Sequence, residues 1–182
     1  MRSDTFPKLC SVFFLFLFYT ECSTKPPICT GRLCGKKVQS DRAMYVKPEL
    51  VTKEPMEVPA VAKITVIDFW EVPCTPCIQA MPKWEALWQR VDQTDVVVVG
   101  ISLDEDVDIA RRALRDGTVR VTFPMLYDGA ARALDAIYSI GVTRPVTVVV
   151  DEKGFVIFDS RQPNGDAIAA VTDLLNARGV LR

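Results

Sequence analysis

The chain has no histidine among its 182 residues. That absence removes Ser-His-Asp and Cys-His catalysis and any histidine site for zinc or copper. It also removes haem attachment, which needs C-x-x-C-H, because the C-x-x-C of this chain runs on into Ile78. An imbalance of charge is missing as well: 22 Lys and Arg stand against 23 Asp and Glu. Nothing here supplies the basic surface that neutralises phosphates, so nucleic acid is not an expected partner. The chemistry left to the chain is that of thiols and carboxylates, and no cofactor and no metal is expected.

Residues 9–19 read L-C-S-V-F-F-L-F-L-F-Y, preceded by Arg2 and Lys8 and followed by polar residues. This is the layout of an export signal. A helix that spans a bilayer needs about 20 apolar residues, so residues 1–22 are expected to be a signal peptide or a short membrane anchor. Cys22 has two readings. It is the acylated first residue of a bacterial lipoprotein, against which bulky Tyr19 and acidic Glu21 count, or it is an ordinary cysteine. Either route delivers the chain to a compartment where disulfides persist, with the periplasm as the expected location.

Residues 23–59 carry prolines at 26, 27, 48, 55 and 59 and no sustained period of two or 3.6, and are expected to be a linker. Within it Cys29 and Cys34 form a C-x4-C, expected as a structural disulfide, with a second redox couple as the alternative. A zinc site made from Cys29, Cys34, Cys74 and Cys77 is disfavoured by the unequal spacings and by export.

The remaining residues, 60–182, read as an α/β domain of about 120 residues. Residues 63–70 are mostly β-branched and aromatic and predict a strand, interrupted by Asp68. After the cysteines Cys74 and Cys77, apolar residues from Ile78 to Val91 recur at three- and four-residue intervals, so a helix starts at the C-x-x-C. Residues 95–103 form a near-continuous apolar run, as in a parallel strand covered on both faces. A surface helix is predicted at 106–115, a short edge strand containing Pro124 at 123–127, and a helix at 130–138. Residues 146–150 and 155–158 predict a hairpin, and 166–177 a final helix capped by Asn164. No internal repeat is present.

Two segments carry a family resemblance: Val66-Ile-Asp-Phe-Trp-Glu-Val-Pro-Cys-Thr-Pro-Cys-Ile-Gln-Ala-Met-Pro82, and Gly141-Val-Thr-Arg-Pro-Val-Thr-Val-Val-Val-Asp-Glu-Lys-Gly-Phe155. Together they resemble the exported thiol:disulfide oxidoreductases of the TlpA/ResA type, which have the thioredoxin fold. The fold class this implies is α/β: a central mixed β-sheet flanked by helices, with a β/α insertion and an N-terminal extension.

Residue chemistry supplies roles beside that resemblance. A thiol reacts as thiolate, and Cys74, at a helix N-terminus, faces unpaired N–H groups and the positive end of the dipole; it is the expected nucleophile. Cys77, one turn in, is placed to attack the mixed disulfide on Cys74 and release the partner. Thr75 and Pro76 shape the short loop between them, and a proline in the first turn forfeits no hydrogen bond. Pro82, inside the helix, removes the bond to the Ile78 carbonyl and predicts a kink. By resemblance, Asp68 is a buried acid beneath Cys77 that takes and returns its proton; burial should raise its pKa toward neutrality. Trp70 is either core or the floor of the substrate site. Pro145, also by resemblance, is a cis-proline lying against the C-x-x-C, where the backbone of Arg144 pairs with an extended client.

The chain departs from the family at several places. Pro73 stands where the family usually has tryptophan, which alters a surface that shapes partner contact. Thioredoxins tend to carry a lysine near the buried acid, and matching the strand ends puts Gly100 there. Arg144 is a cation placed near the thiolate; at about 6 Å and an effective dielectric of about 20 its attraction is roughly 3 kcal/mol, which favours the reduced form and shifts the potential toward the oxidising side. A peroxiredoxin pattern, P-x-x-x-T-x-x-C, would need threonine where Glu71 stands.

The expected function is therefore reduction of client protein disulfides, with apocytochrome c thiols as the client class that the resemblance implies. Client proteins with disulfides or thiols are the expected partners, together with a membrane-embedded thiol electron donor. The alternatives are a periplasmic oxidase or isomerase, and a non-catalytic binding module in which the C-x-x-C is only a structural disulfide.

Overall fold

The computed structural model describes residues 29, 33–37, 46–60, 62–129, 132, 134, 138, 144–161 and 166–182. The expected export signal, Cys22 and Asn164 lie outside the described residues, as does most of the helix expected at 130–138.

The β-branched and aromatic run Ile64–Trp70 forms β3, and all seven of its residues are buried. Such a strand cannot lie at an edge. It sits third of five in a sheet ordered β5-β4-β3-β6-β7, where β4 is Val96–Ser102, β5 Met125–Tyr127, β6 Val146–Asp151 and β7 Val156–Asp159. Strand β4 runs parallel to β3, from Ile64 opposite Val96 to Trp70 opposite Ser102, while β6 runs antiparallel, with Asp68 opposite Thr147. The sheet is mixed because a helix carries the chain from β3 back to β4, whereas a tight turn joins β6 to β7.

Strand alternation sorts the interior into two layers. Ile64, Val66 and Trp70 point to the layer that holds Cys77, Met81 and Trp84 of α1 (Thr75–Trp88) and Val171 and Leu174 of α3 (Ala167–Ala177). Ile67 and Phe69 point to the other, with Val99, Ile101, Val148, Leu134 and Tyr138. Asp68 shares the parity of Val66 and Trp70, so it belongs to the α1 face. Helix α2 (Val107–Arg115) adds Ala110 and Ala113 to the same layer.

Two local expectations differ from the structure. The final helix is capped by Asp166, whose Oδ1 accepts from the N–H groups of Ile168 at 3.0 Å and Ala169 at 3.4 Å. Asp serves that position as well as Asn does. The second difference concerns the segment expected as linker. Strands β1 (Val46–Pro48) and β2 (Pro55–Glu57) pair as an antiparallel hairpin. Beside it, the Leu50 N–H donates to the Met125 carbonyl at 2.6 Å, and Glu49 bridges to Leu126, so the segment covers the β5 edge. At the opposite edge the Gly35 N–H donates to Val156 O at 2.8 Å, and the Val156 N–H to Lys36 O at 3.0 Å. Leu33, Leu50 and Val58 are buried. The folded unit thus takes in residues before position 60. Three-residue strands flanked by prolines have no periodicity of their own to read; the unpaired edges of the main sheet hold them in place.

Candidate active site

Past Trp70 the chain turns through Glu71-Val72-Pro73 and enters α1. Cys74 is the N-cap of that helix, and its Sγ accepts the Cys77 N–H at 3.2 Å. The Cys74 N–H in turn donates to the Glu71 carbonyl at 3.1 Å, which closes the turn ahead of the helix. Pro76 lies in the first turn, where a missing N–H costs nothing. Helix α1 continues through Pro82 to Trp88. Cys74 and Cys77 are joined as a disulfide with their Cα atoms 5.2 Å apart. Cys74 is 9% exposed and Cys77 fully buried. Pro73, Thr75 and Pro76 are exposed around Cys74.

Asp68 lies on the sheet face that α1 covers, one residue pair below the end of β3. The Thr147 hydroxyl donates to its Oδ1 at 2.8 Å, and Oδ2 has no hydrogen-bond partner among the described residues. Burial pushes its pKa up to about 7, against the smaller opposing pull of Thr147 and the Trp84 side chain. A carboxyl group near half-protonation at neutral pH is suited to accept and return a proton.

Gly100 stands directly opposite Asp68 in the parallel pairing. A Cβ placed there would come 2.4 Å from Met125 Sδ and 3.3 Å from Trp70 Nε1. Met125 and Trp70 therefore fill the space beside the acid, and no basic side chain reaches Asp68 from this position.

A family model described as the AhpC/TSA family matches residues 51–158. The chain belongs to the AhpC/TSA family. Among curated relatives, the thioredoxin-like protein YneN of Bacillus subtilis is 35% identical over 98 residues, covering 53% of this chain and 55% of that protein. The thiol-disulfide oxidoreductase ResA of Halalkalibacterium halodurans is 27% identical over 92 residues, 50% of this chain and 49% of the relative. The chain thus spans about half the length of the curated relatives it matches. A crystal structure from Chlorobium tepidum, named a thiol:disulfide interchange protein DsbE, superposes with a TM-score of 0.60 at 20% identity, over 79% of this chain and 96% of the other. The fold is thioredoxin-like, as the resemblance implied.

In this AhpC/TSA member, Trp70 is fully buried in the layer with both cysteines. Pro145 is exposed and follows a cis peptide bond. Arg144, expected from the sequence to be a cation near the thiolate, lies beside a carboxylate. Its side chain is only 6% exposed, and Nε lies 3.9 Å from Glu71 Oε2. The Glu71 carboxylate beside it offsets its field. Cys29 and Cys34 are disulfide-bonded at the β7 edge, two strands away from β3.

Asp104 was not singled out from sequence. It is nearly buried, and its Oδ1 accepts the Val72 N–H at 2.9 Å while the Ser102 hydroxyl donates to Oδ2 at 2.9 Å. Burial raises its pKa, while the Val72 and Ser102 hydrogen bonds oppose that rise. The residue anchors the turn that precedes Cys74. Its one legible signal was position: an acid just beyond the C-terminal end of a strand parallel to β3, the end at which α/β sites gather.

Proposed function

We propose that this chain is an exported thiol:disulfide oxidoreductase that reduces disulfides in client proteins through Cys74 and Cys77. The observation that carries the reading is the unequal access of two bonded cysteines at one helix N-terminus, Cys74 at 9% exposure and Cys77 at 0%. In the reduced protein the Cys74 thiolate attacks one sulfur of a client disulfide. A Cys74–client S–S bond forms, the client's own S–S bond breaks, and the departing thiolate takes a proton from water. Cys77 then gives its proton to the Asp68 carboxylate and attacks Cys74 Sγ. The Cys74–Cys77 bond forms as the mixed disulfide breaks. The client leaves as a dithiol with two electrons gained, its second thiolate protonated from Asp68. A dithiol donor resets the pair by the same steps in reverse.

Export is supported by the apolar run at residues 9–19 behind Arg2 and Lys8. In that compartment a membrane-embedded dithiol donor and the thiol pair of apocytochrome c are the donor and client that fit a reductase of this type.

Insulin reduction with dithiothreitol as donor tests the reading. The parent chain is expected to turn over and Cys74→Ser to lose turnover with its fold intact. Full turnover by Cys74→Ser would falsify the assignment. A Cys74–Cys77 reduction potential near that of the strong oxidants, about −120 mV, would instead make the chain an oxidase.

A further inference from the structure

The turn that carries Cys74 is tied to two neighbouring loops, and one of the ties is charged. Glu71, three residues before Cys74, lies 3.9 Å from Arg144, the residue before Pro145. Arg144 has withdrawn its guanidinium almost entirely from water, at 6% exposure, while Glu71 keeps 29%. A cation buried to that degree is costly unless a carboxylate compensates it. Glu71 contributes to that compensation, so the pair joins the loop of the nucleophile to the loop of the cis-proline.

We infer that Glu71 and Arg144 are positioning residues that set the reactivity of Cys74 through opposed charges. The inference rests on the reading of Cys74 as nucleophile and adds the groups that tune it. The Cys74 N–H donates to the Glu71 carbonyl, so one tight turn carries both the nucleophile and the carboxylate. Because the two charges are opposite and 3.9 Å apart, their effects at Cys74 oppose one another. Alone, the guanidinium favours the thiolate and the carboxylate opposes it. Neutralising Glu71 and neutralising Arg144 therefore move Cys74 in opposite directions. A tether that acts only by contact behaves otherwise, because loss of either end breaks the same contact. Among the described residues, the other ionisable groups that the contacts place near this turn are Asp104, bonded to the Val72 N–H, and Asp68, on the α1 face of the sheet. Both are kept in every variant, so differences between variants report the pair.

The test is the rate at which iodoacetamide alkylates Cys74 in the reduced full chain as a function of pH, followed on the Cys74 peptide by mass spectrometry. Glu71→Gln is expected to lower the pH midpoint by about half a unit, which is about a threefold faster reaction below the midpoint. Arg144→Met is expected to raise it by a similar amount. The double variant Glu71→Gln/Arg144→Met returns to within about 0.2 unit of the parent. Arg144→Lys, which keeps the charge, stays near the parent and covers the case in which Arg144→Met does not fold. Shifts of the same sign in folded Glu71→Gln and Arg144→Met overturn the inference, as does an unmoved midpoint in Glu71→Gln. An inert Cys74 in the parent overturns the functional reading and this inference together, whereas a reactive parent with like-signed variants overturns this inference alone.

Discussion

Thr147 and Asp68 face each other across the antiparallel pairing of β6 with β3, and the threonine hydroxyl donates to Asp68 Oδ1 at 2.8 Å. That hydrogen bond fixes one carboxylate oxygen and leaves Oδ2 as the site where a proton can be held.

Stability should carry the signature of this buried acid. The folded pKa of about 7 lies above the ordinary value of 3.8. The folded state then holds a proton that the unfolded chain has released, so unfolding free energy falls as pH rises from about 4 to about 7 and levels off above that. The full shift corresponds to about 4 kcal/mol. Asp68→Asn should remove most of this slope, so its stability relative to the parent rises across the same window. Urea unfolding at pH 4, 5.5, 7 and 8.5 measures it; a parent and variant with parallel profiles would show that Asp68 does not titrate there. The same substitution should slow the resolving attack of Cys77 by about a hundredfold, seen as an accumulating mixed disulfide.

Cys77→Ser should trap that mixed disulfide outright. The accessible Cys74 can still open a client disulfide, and with the resolving sulfur gone the Cys74–client bond has no intramolecular exit. Incubated with insulin and run without reductant, the variant should carry a covalent insulin chain that dithiothreitol removes. Free variant after that incubation would mean that Cys74 is not the attacking sulfur.

Position 100 should resist any side chain. An alanine Cβ meets Met125 Sδ at 2.4 Å inside a layer already filled by Trp70, so one of the two must be displaced. Gly100→Ala is expected to cost about 1–3 kcal/mol, as overpacked cores do. Met125→Val, introduced into the same chain, should recover part of that loss. Urea midpoints of the three proteins decide the point, and an undiminished midpoint for Gly100→Ala would mean that Met125 yields freely.

The Cys29–Cys34 disulfide should matter to the β7 edge and hardly at all to the chemistry. It closes a short loop in which the Leu33 N–H donates to Asp159 Oδ2 at 3.1 Å, and that same oxygen accepts from Arg161 at 2.6 Å. Replacing both cysteines by serine should cost about 2 kcal/mol, the loop-closure contribution of so short a loop. Hydrogen exchange at the Val156 amide, which donates to Lys36 O, should accelerate, while insulin reduction stays within about twofold of the parent. A collapse of insulin reduction in the folded double variant would place this disulfide in the electron path.

Much of the site was legible because it is local. The helix start at Cys74 follows from a C-x-x-C ahead of a 3.6-residue pattern, and β3, β4 and the β6–β7 hairpin each announce themselves by β-branched runs within a few residues. The family resemblance then joined Asp68, Pro82 and Pro145 to the cysteines. The N-terminal hairpin escaped notice for the opposite reason: Val46–Pro48 and Pro55–Glu57 are short and proline-flanked, and their order comes from the β5 edge rather than from their own pattern.

What the sequence determined by itself was therefore chemical identity and local form: thiols and carboxylates in place of histidine, a cysteine at a helix N-terminus, an acid within an apolar strand. Only the tertiary structure decided how those groups behave. Asp68 owes its raised pKa to the packing of β4, β6 and α1 around it, because desolvation depends on everything that excludes water from a carboxylate. Arg144, read from the sequence as a lone cation, proved to lie beside Glu71, and Asp104 became the anchor of Val72, because charges and hydrogen bonds act through distances that only the fold sets.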